Sequence, residues 1–248
     1  MASRRPGAPV KAVSVDRGRA DLSAWPYTMP VVAQVVEEGL NLSPGLTILI
    51  GQNGSGKSTL VEGLAAAWGR RITAFRSDWL QRAAAESSRE DSDLNRSMRL
   101  HYTVGGATGG LFLRAERLHA QADWFSGGGR WGERMGGIDV LARSHGEGFL
   151  EILAAMVSDP GLYVLDEPES ALSFDSCLVL LTLMSQMLAA GSQIVLATHS
   201  PILAAMPGAL LLQLDESGIR PVDYDETDLV TSWRGFLASP ERFLGHLT

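Results

Sequence analysis

Apolar residues come in short runs along this chain, punctuated by glycine, proline and small polar residues, and two periods alternate. "VVAQVV" (31–36) and "LTILIGQ" (46–52) are short and rich in β-branched residues. Ser43-Pro44-Gly45 makes a turn between them, so both are expected as strands. "KSTLVEGLAAAWG" (57–69) has helical spacing and ends on Gly69. From Asp78 to Tyr102 the pattern is helical and heavily charged, which predicts a solvated arm. "GLFLRAE" (110–116) returns to strand. "RLHAQADWF" (117–125) is expected as helix, and "SGGGRWGERMGG" (126–137) as a glycine-rich loop.

Further along, Gly146 to Ser158 has helical spacing again, and "LYVLDEPE" (162–169) is a buried strand ending in acids. "CLVLLTLMSQMLAAG" (177–191) is expected as a mostly buried helix and "SQIVLATHS" (192–200) as another buried strand. "GALLLQLDESGIRPVDY" (208–224) predicts a hairpin turning at Glu216-Ser217-Gly218, and the tail from Asp228 two short helices around Pro240. There is no internal repeat and no long heptad pattern, which excludes extended coiled-coil arms. Strand and helix in alternation predict an α/β fold with a mostly parallel central sheet flanked by helices, a small helical arm and an antiparallel edge.

Composition refines this only in part. With 248 residues, 45% apolar and 20% charged, the chain is long enough for one large buried core. A formal charge of −7 argues against wholesale binding of nucleic acid, although a local basic strip remains compatible. The single Cys177 excludes an intramolecular disulfide, and a cytoplasmic setting is expected. Residues 1–24 start basic with no apolar core of signal-peptide length, and are expected as a flexible leader. The charge-free run between Asp175 and Asp215 is broken by Gln186, Gly191, Ser192, Gln193, Pro201 and Pro207. It is therefore read as buried in protein rather than in lipid.

Three constellations carry chemistry. Gly51-Gln52-Asn53-Gly54-Ser55-Gly56-Lys57-Ser58 matches GxxxxGK[ST] between an apolar run and a helix, the P-loop NTPase arrangement. Its glycines let backbone N–H groups of Gly51, Asn53, Gly54, Ser55 and Gly56 turn toward phosphates. Lys57 faces the β- and γ-phosphates, Ser58 offers a hydroxyl to Mg2+, and Thr59 is placed for the α-phosphate. The second constellation is Asp166-Glu167 at a strand end, one acid for the metal and one to orient or deprotonate water. The third is His199 at the end of the next buried strand, within reach of a γ-phosphate if the two strands are neighbours.

Together these residues resemble the ATP-binding-cassette (ABC) ATPases. Ser144-His145-Gly146-Glu147-Gly148 lies 22 positions before Asp166, where that family has its signature loop, and Ser170-Ala171-Leu172-Ser173 resembles the D-loop. "GQNGSGKSTL", "SHGEGF", "LDEPESALS", "THSPIL" and the closing "SWRGFLASPERFLGHL" are similar to small stand-alone ABC ATPases of bacteria. The resemblance implies a single ABC-type ATPase domain over 25–248, with a helical and signature subdomain at about 78–150. It implies ATP and Mg2+, with catalysis by Lys57, Glu167 and His199 and the metal on Ser58 and Asp166. It also implies an ATP-dependent homodimer in which Ser144 and Gly146 cap the γ-phosphate held by the second copy.

Some positions depart from the family pattern. His145 and Glu147 replace the usual small residue and Gln, and Glu116 stands where a Q-loop glutamine is normal, leaving it as a further metal candidate. Trp25 and Tyr27 are candidates for an adenine platform, with core packing as the alternative. Four uses stay open: a switch acting on an unknown partner, a transporter subunit docking on a membrane permease, a DNA-maintenance ATPase, or an ATP-binding scaffold with negligible turnover.

Overall fold

Residues 7–73, 94–115 and 145–245 are described by the computed structural model. Six strands form the main sheet in the order β5-β6-β7-β3-β8-β9. They are β3 (Leu46–Gly51), β5 (Gly109–Arg114), β6 (Gly161–Asp166), β7 (Gln193–Thr198), β8 (Leu210–Asp215) and β9 (Gly218–Pro221). All neighbours are parallel except β9, which folds back antiparallel on β8 and forms the expected edge. A second, antiparallel sheet has the order β2-β1-β4, from β1 (Val10–Val15), β2 (Leu40–Asn41) and β4 (Met98–Tyr102). The helices are α1 (Pro30–Glu38), α2 (Lys57–Thr73), α3 (His145–Met156), α4 (Phe174–Ala189), α5 (Asp228–Ala238) and α6 (Pro240–Leu244), with helical turns at Leu94–Ser97 and Pro201–Ala204.

Strand alternation decides what lies on each face of the main sheet. Leu49, Phe112, Leu162, Val164, Val195 and Ala197 pack with Leu60, Val61 and Leu64 of α2 and with β1 and α1. Their neighbours Ile48, Leu111, Leu113, Tyr163, Leu165, Ile194 and Leu196 point the other way, onto Phe149 and Leu153 of α3 and Leu180 and Met184 of α4. The sheet therefore separates α2 from α3 and α4. By the same parity, Arg114 and Asp166 at the ends of β5 and β6 face α2, whereas Thr198 at the end of β7 faces away from it.

The small sheet is tied to the large one through Gln193, which is fully buried. Its Oε1 accepts from the Val10 N–H at 2.9 Å, and its Nε2 donates to the Val10 carbonyl and the Ser43 carbonyl, each at 2.7 Å. One side-chain amide thus takes the place of a neighbouring strand and satisfies three backbone groups that burial would otherwise leave unpaired.

Several expectations need correction. "VVAQVV" is not a strand but α1: Pro30 opens it, Val31, Val32 and Val35 form its buried face, and the N–H of Gly39 (φ 72°) closes it on the Val35 carbonyl. The β-branched composition favours a strand, but one-sided packing overrides that propensity. Between Asp78 and Tyr102, the described residues contain only one helical turn, Leu94–Ser97. Met98–Tyr102 is β4, paired with β1. Val10–Val15, within the expected leader, is β1, with Val10 fully buried. The helix expected as mostly buried, α4, is one-sided: Cys177, Leu180, Met184 and Met187 are buried, while Leu178 and Val179 are exposed. The helix and glycine-rich loop expected at 117–137 lie outside the described residues.

Candidate functional site

Parallel strands deliver their C-terminal ends to one edge of the sheet, and there the sequence motifs meet. Ile50 is paired with Thr198, and Asp166 with both Ala197 and Arg114, so the ends of β3, β7, β6 and β5 stand side by side. The loop from Gly51 to Ser58 turns from β3 into α2. Gly56 has φ 96°, and a Cβ there would lie 2.5 Å from Val31 Cγ2; at Gly51 it would lie 2.3 Å from the Leu214 carbonyl oxygen. This curvature therefore requires glycine at both positions.

Lys57 is 3% exposed, and its Nζ donates to the Gly51 carbonyl at 3.0 Å and the Gln52 carbonyl at 3.1 Å. Burial pushes its ammonium below the ordinary lysine range, while the carboxylates of Glu167, Asp166 and Glu169 pull it back up. Ser55 Oγ is buried in the same loop with no hydrogen-bond partner. A cradle of positive-φ glycines, a buried cation and an unsatisfied hydroxyl suits an anion such as a phosphate chain. Beside the loop, toward β8 and α5, lies a cavity of about 790 Å³, lined among others by Met29, residues 51–55, His199, Asp215 and Trp233. That volume suits a nucleotide-sized ligand.

Asp166 is 1% exposed, and its two oxygens are used separately. Oδ1 accepts from Ser58 Oγ at 3.2 Å. Oδ2 accepts from Arg114 Nε at 2.7 Å, with Arg114 Nη2 at 2.6 Å. The remaining arm of that guanidinium, Nη1, lies 2.6 Å from Glu62 Oε1 on α2. Burial pushes the Asp166 carboxyl above its ordinary range, and Arg114 is the main opposing influence. Among the described residues no cluster of three or more His, Cys, Asp or Glu could cage a metal. Ser58 Oγ and Asp166 Oδ1 instead offer two hard oxygens side by side. That donor set fits Mg2+, which takes few protein ligands and completes its shell with substrate phosphates and water.

Glu167 follows with φ 47°, a left-handed conformation uncommon for a residue with a Cβ and concentrated at functional sites. Its N–H donates to the Ala197 carbonyl at 2.9 Å, and its Oε1 lies 3.1 Å from His199 Nε2. Both side chains are about one-third exposed, with 32% for Glu167 and 31% for His199. Glu169 supports the histidine: its Oε1 accepts from Thr198 Oγ1 at 2.7 Å and from the His199 N–H. Its Oε2 is buried without a hydrogen-bond partner. Burial pushes the Glu169 carboxyl up, opposed by the hydrogen bonds from Thr198 and His199.

The structure thus brings Gly51–Thr59, Asp166, Glu167 and His199 to one edge. Ser144 and Glu116 lie outside the described residues. Gly146 is in the first turn of α3, on the face away from α2, where a Cβ would meet the Ala171 carbonyl oxygen at 2.5 Å. Tyr27 is 3% exposed, with its hydroxyl 2.7 Å from Ser97 Oγ, so it packs in the core; Trp25 is 58% exposed. Sequence reasoning missed Arg114, Glu62 and Glu169. The available signals were the parity of "FLR" with "VLD", the i,i+4 spacing of Ser58 and Glu62, and the third acid of "DEPE".

The AAA domain family model matches residues 34–112. No curated protein matches the sequence. Among solved structures, the chain is similar to one of a putative metal-chelate type ABC transporter in an inward-facing conformation. That match has 13% identity and a TM-score of 0.50, and covers 91% of this chain and 88% of the other. The SMC head domain from Thermotoga maritima also matches, at 15% identity and a TM-score of 0.45, over 75% of this chain and 93% of that one. So does an SMC head bound to the C-winged helix domain of ScpA, at 11% identity and a TM-score of 0.48, over 88% and 97%. The chain thus shares its fold, a mostly parallel sheet flanked by helices, with the ABC transporter structure it matches. No helix among the described residues is long and apolar enough to cross a membrane.

Proposed function

We propose that this chain is an ATPase: it binds Mg-ATP on the loop Gly51–Ser58 and hydrolyses the terminal phosphoanhydride at a site completed by a second copy of itself. The observation that carries this reading is the 3.1 Å approach of Glu167 to His199 beside Lys57, Ser58 and Asp166. Lys57 exchanges the Gly51 and Gln52 carbonyls for β- and γ-phosphate oxygens, and Thr59 and the loop N–H groups hold the rest of the chain. Ser58 and Asp166 would hold Mg2+, which would supply charge neutralisation and orientation of the phosphate oxygens. Glu167 orients the attacking water and takes its proton, and His199 hydrogen-bonds the γ-phosphate side of the site.

The second copy is inferred from the position of α3. Its first turn, with Gly146, packs beside Ala171 on the sheet face opposite α2, so it serves a different side of the molecule from the phosphate loop. Presented by a partner, that turn and Ser144 cap the phosphate chain, ATP joins the two copies, and hydrolysis releases them. A cycle of this kind suits a switch acting on another macromolecule.

Lys57→Ala is expected to weaken ATP binding by roughly tenfold to a hundredfold, through loss of a charged hydrogen-bonding group. Glu167→Gln is expected to lower turnover by about 10²- to 10⁴-fold while retaining ATP, and to accumulate a species of doubled mass in size-exclusion with light scattering. Ser144→Arg is expected to bind ATP as a monomer and to prevent that species. Equal, near-zero turnover of wild type and Glu167→Gln would leave only an ATP-binding scaffold. A Ser144→Arg protein that still doubles its mass would overturn the shared site.

A further inference from the structure

Asp166 is the one acid of the site almost completely withdrawn from water, yet a buried carboxylate is stable as an anion only when both oxygens are compensated. The two oxygens have different partners. Oδ1 faces Ser58 Oγ at the mouth of the phosphate loop, whereas Oδ2 receives Arg114 through Nε and Nη2. Arg114 is itself clamped: its third nitrogen reaches Glu62, one helical turn beyond Ser58 on α2. A planar guanidinium between two carboxylates fixes the distance and orientation between β6 and α2, the two elements that contribute the metal-facing oxygens.

We propose that Arg114 is a positioning residue for the divalent metal: by occupying Oδ2 and bracing against Glu62, it aims Asp166 Oδ1 at Ser58 and at the metal. This rests on the Mg-ATP reading above. Arg114 does not compete for the metal, because it sits on the oxygen turned away from Ser58. Its Nε and Nη2 are directed at Asp166 and its Nη1 at Glu62. Its contribution is that of an outer partner which orders a ligand before the metal arrives. Lysine cannot reproduce it, because a single ammonium lacks the fork that spans two carboxylates.

The test separates metal binding from nucleotide binding. Full-length wild type, Arg114→Ala and Arg114→Lys are compared for affinity for a fluorescent ATP analogue in EDTA and in Mg2+, and for Mn2+ bound to the ATP complex by electron paramagnetic resonance. Arg114→Ala is expected to keep its metal-free ATP affinity and to lose about 10- to 100-fold in Mn2+ affinity, with a matching loss of the Mg2+ enhancement. Arg114→Lys, which preserves the charge, is expected to fall between the two and carries the test if the alanine variant does not fold. Unchanged Mn2+ affinity in both variants would overturn the proposal. So would equal losses with and without metal, which would make Arg114 a general structural residue. Failure of the ATPase reading shows separately, as wild-type protein that binds no ATP analogue, and that result removes both.

Discussion

Glu169 shows what a single buried acid contributes beyond its place in a motif. It reaches across from the exit of β6 to the exit of β7 and holds the backbone of His199. Burial raises its carboxyl above the ordinary 4.5, so the fold favours its protonated form. An acid with a raised folded value contributes stability that is complete below its unfolded value and is lost as pH rises through the folded one. Glu169→Gln keeps an amide oxygen for Thr198 and His199 and removes the charge. In metal-free, nucleotide-free protein, the urea midpoint of wild type should fall relative to that of the variant as pH rises above the ordinary 4.5. A wild type that gains on the variant over that range would contradict the assignment. Lys57, Ser58 and Asp166 are legible in the sequence because their chemistry demands fixed spacing around a turn and a strand end. Arg114, Glu62 and Glu169 are not, because each acts through a partner brought close only by strand order. Arg114 and Asp166, for example, are 52 positions apart in sequence and paired in register.

At the scale of elements, burial on one face outweighs local propensity. Most strands of the main sheet were readable because both of their faces are covered, which leaves near-continuous apolar runs. α1 was not, because three valines on one side of a nine-residue segment read as a strand until the wall they pack against is known. β1 and β4 were also hidden: their pairing joins residues 10–15 to residues 98–102, a contact that no local pattern announces. What anchors β1 is testable through Gln193. Gln193→Leu preserves the approximate volume but leaves the Val10 N–H and the Val10 and Ser43 carbonyls without their partner. A loss of about 3 kcal/mol in urea unfolding is expected, since unsatisfied buried polar groups each cost on the order of 1–3 kcal/mol and partial relaxation recovers some of it. A change below about 0.5 kcal/mol, the range of an ordinary surface substitution, would show that the clasp is dispensable.

For the whole molecule, the sheet is a partition. The phosphate loop and α2 lie on one side, the first turn of α3 on the other, and the acids emerge at the edge between them. In the proposed cycle one copy holds the triphosphate from the α2 side, and a second copy closes the site from the α3 side. That makes stability a function of two concentrations. A ligand bound by the native state alone adds about 2.7 kcal/mol when present at 100 times its dissociation constant, whatever the protein concentration. A ligand that also joins two copies adds a term that grows with protein concentration as well. Thermal unfolding of Glu167→Gln in excess Mg-ATP should therefore shift upward on raising the protein concentration, whereas in excess Mg-ADP it should not. Carrying Ser144→Arg in the same chain should abolish the concentration term and leave the simple ligand term intact. If Glu167→Gln with Mg-ATP melts at one temperature across the whole range of protein concentration, each copy binds its nucleotide alone, and the two faces of the sheet are not halves of one site.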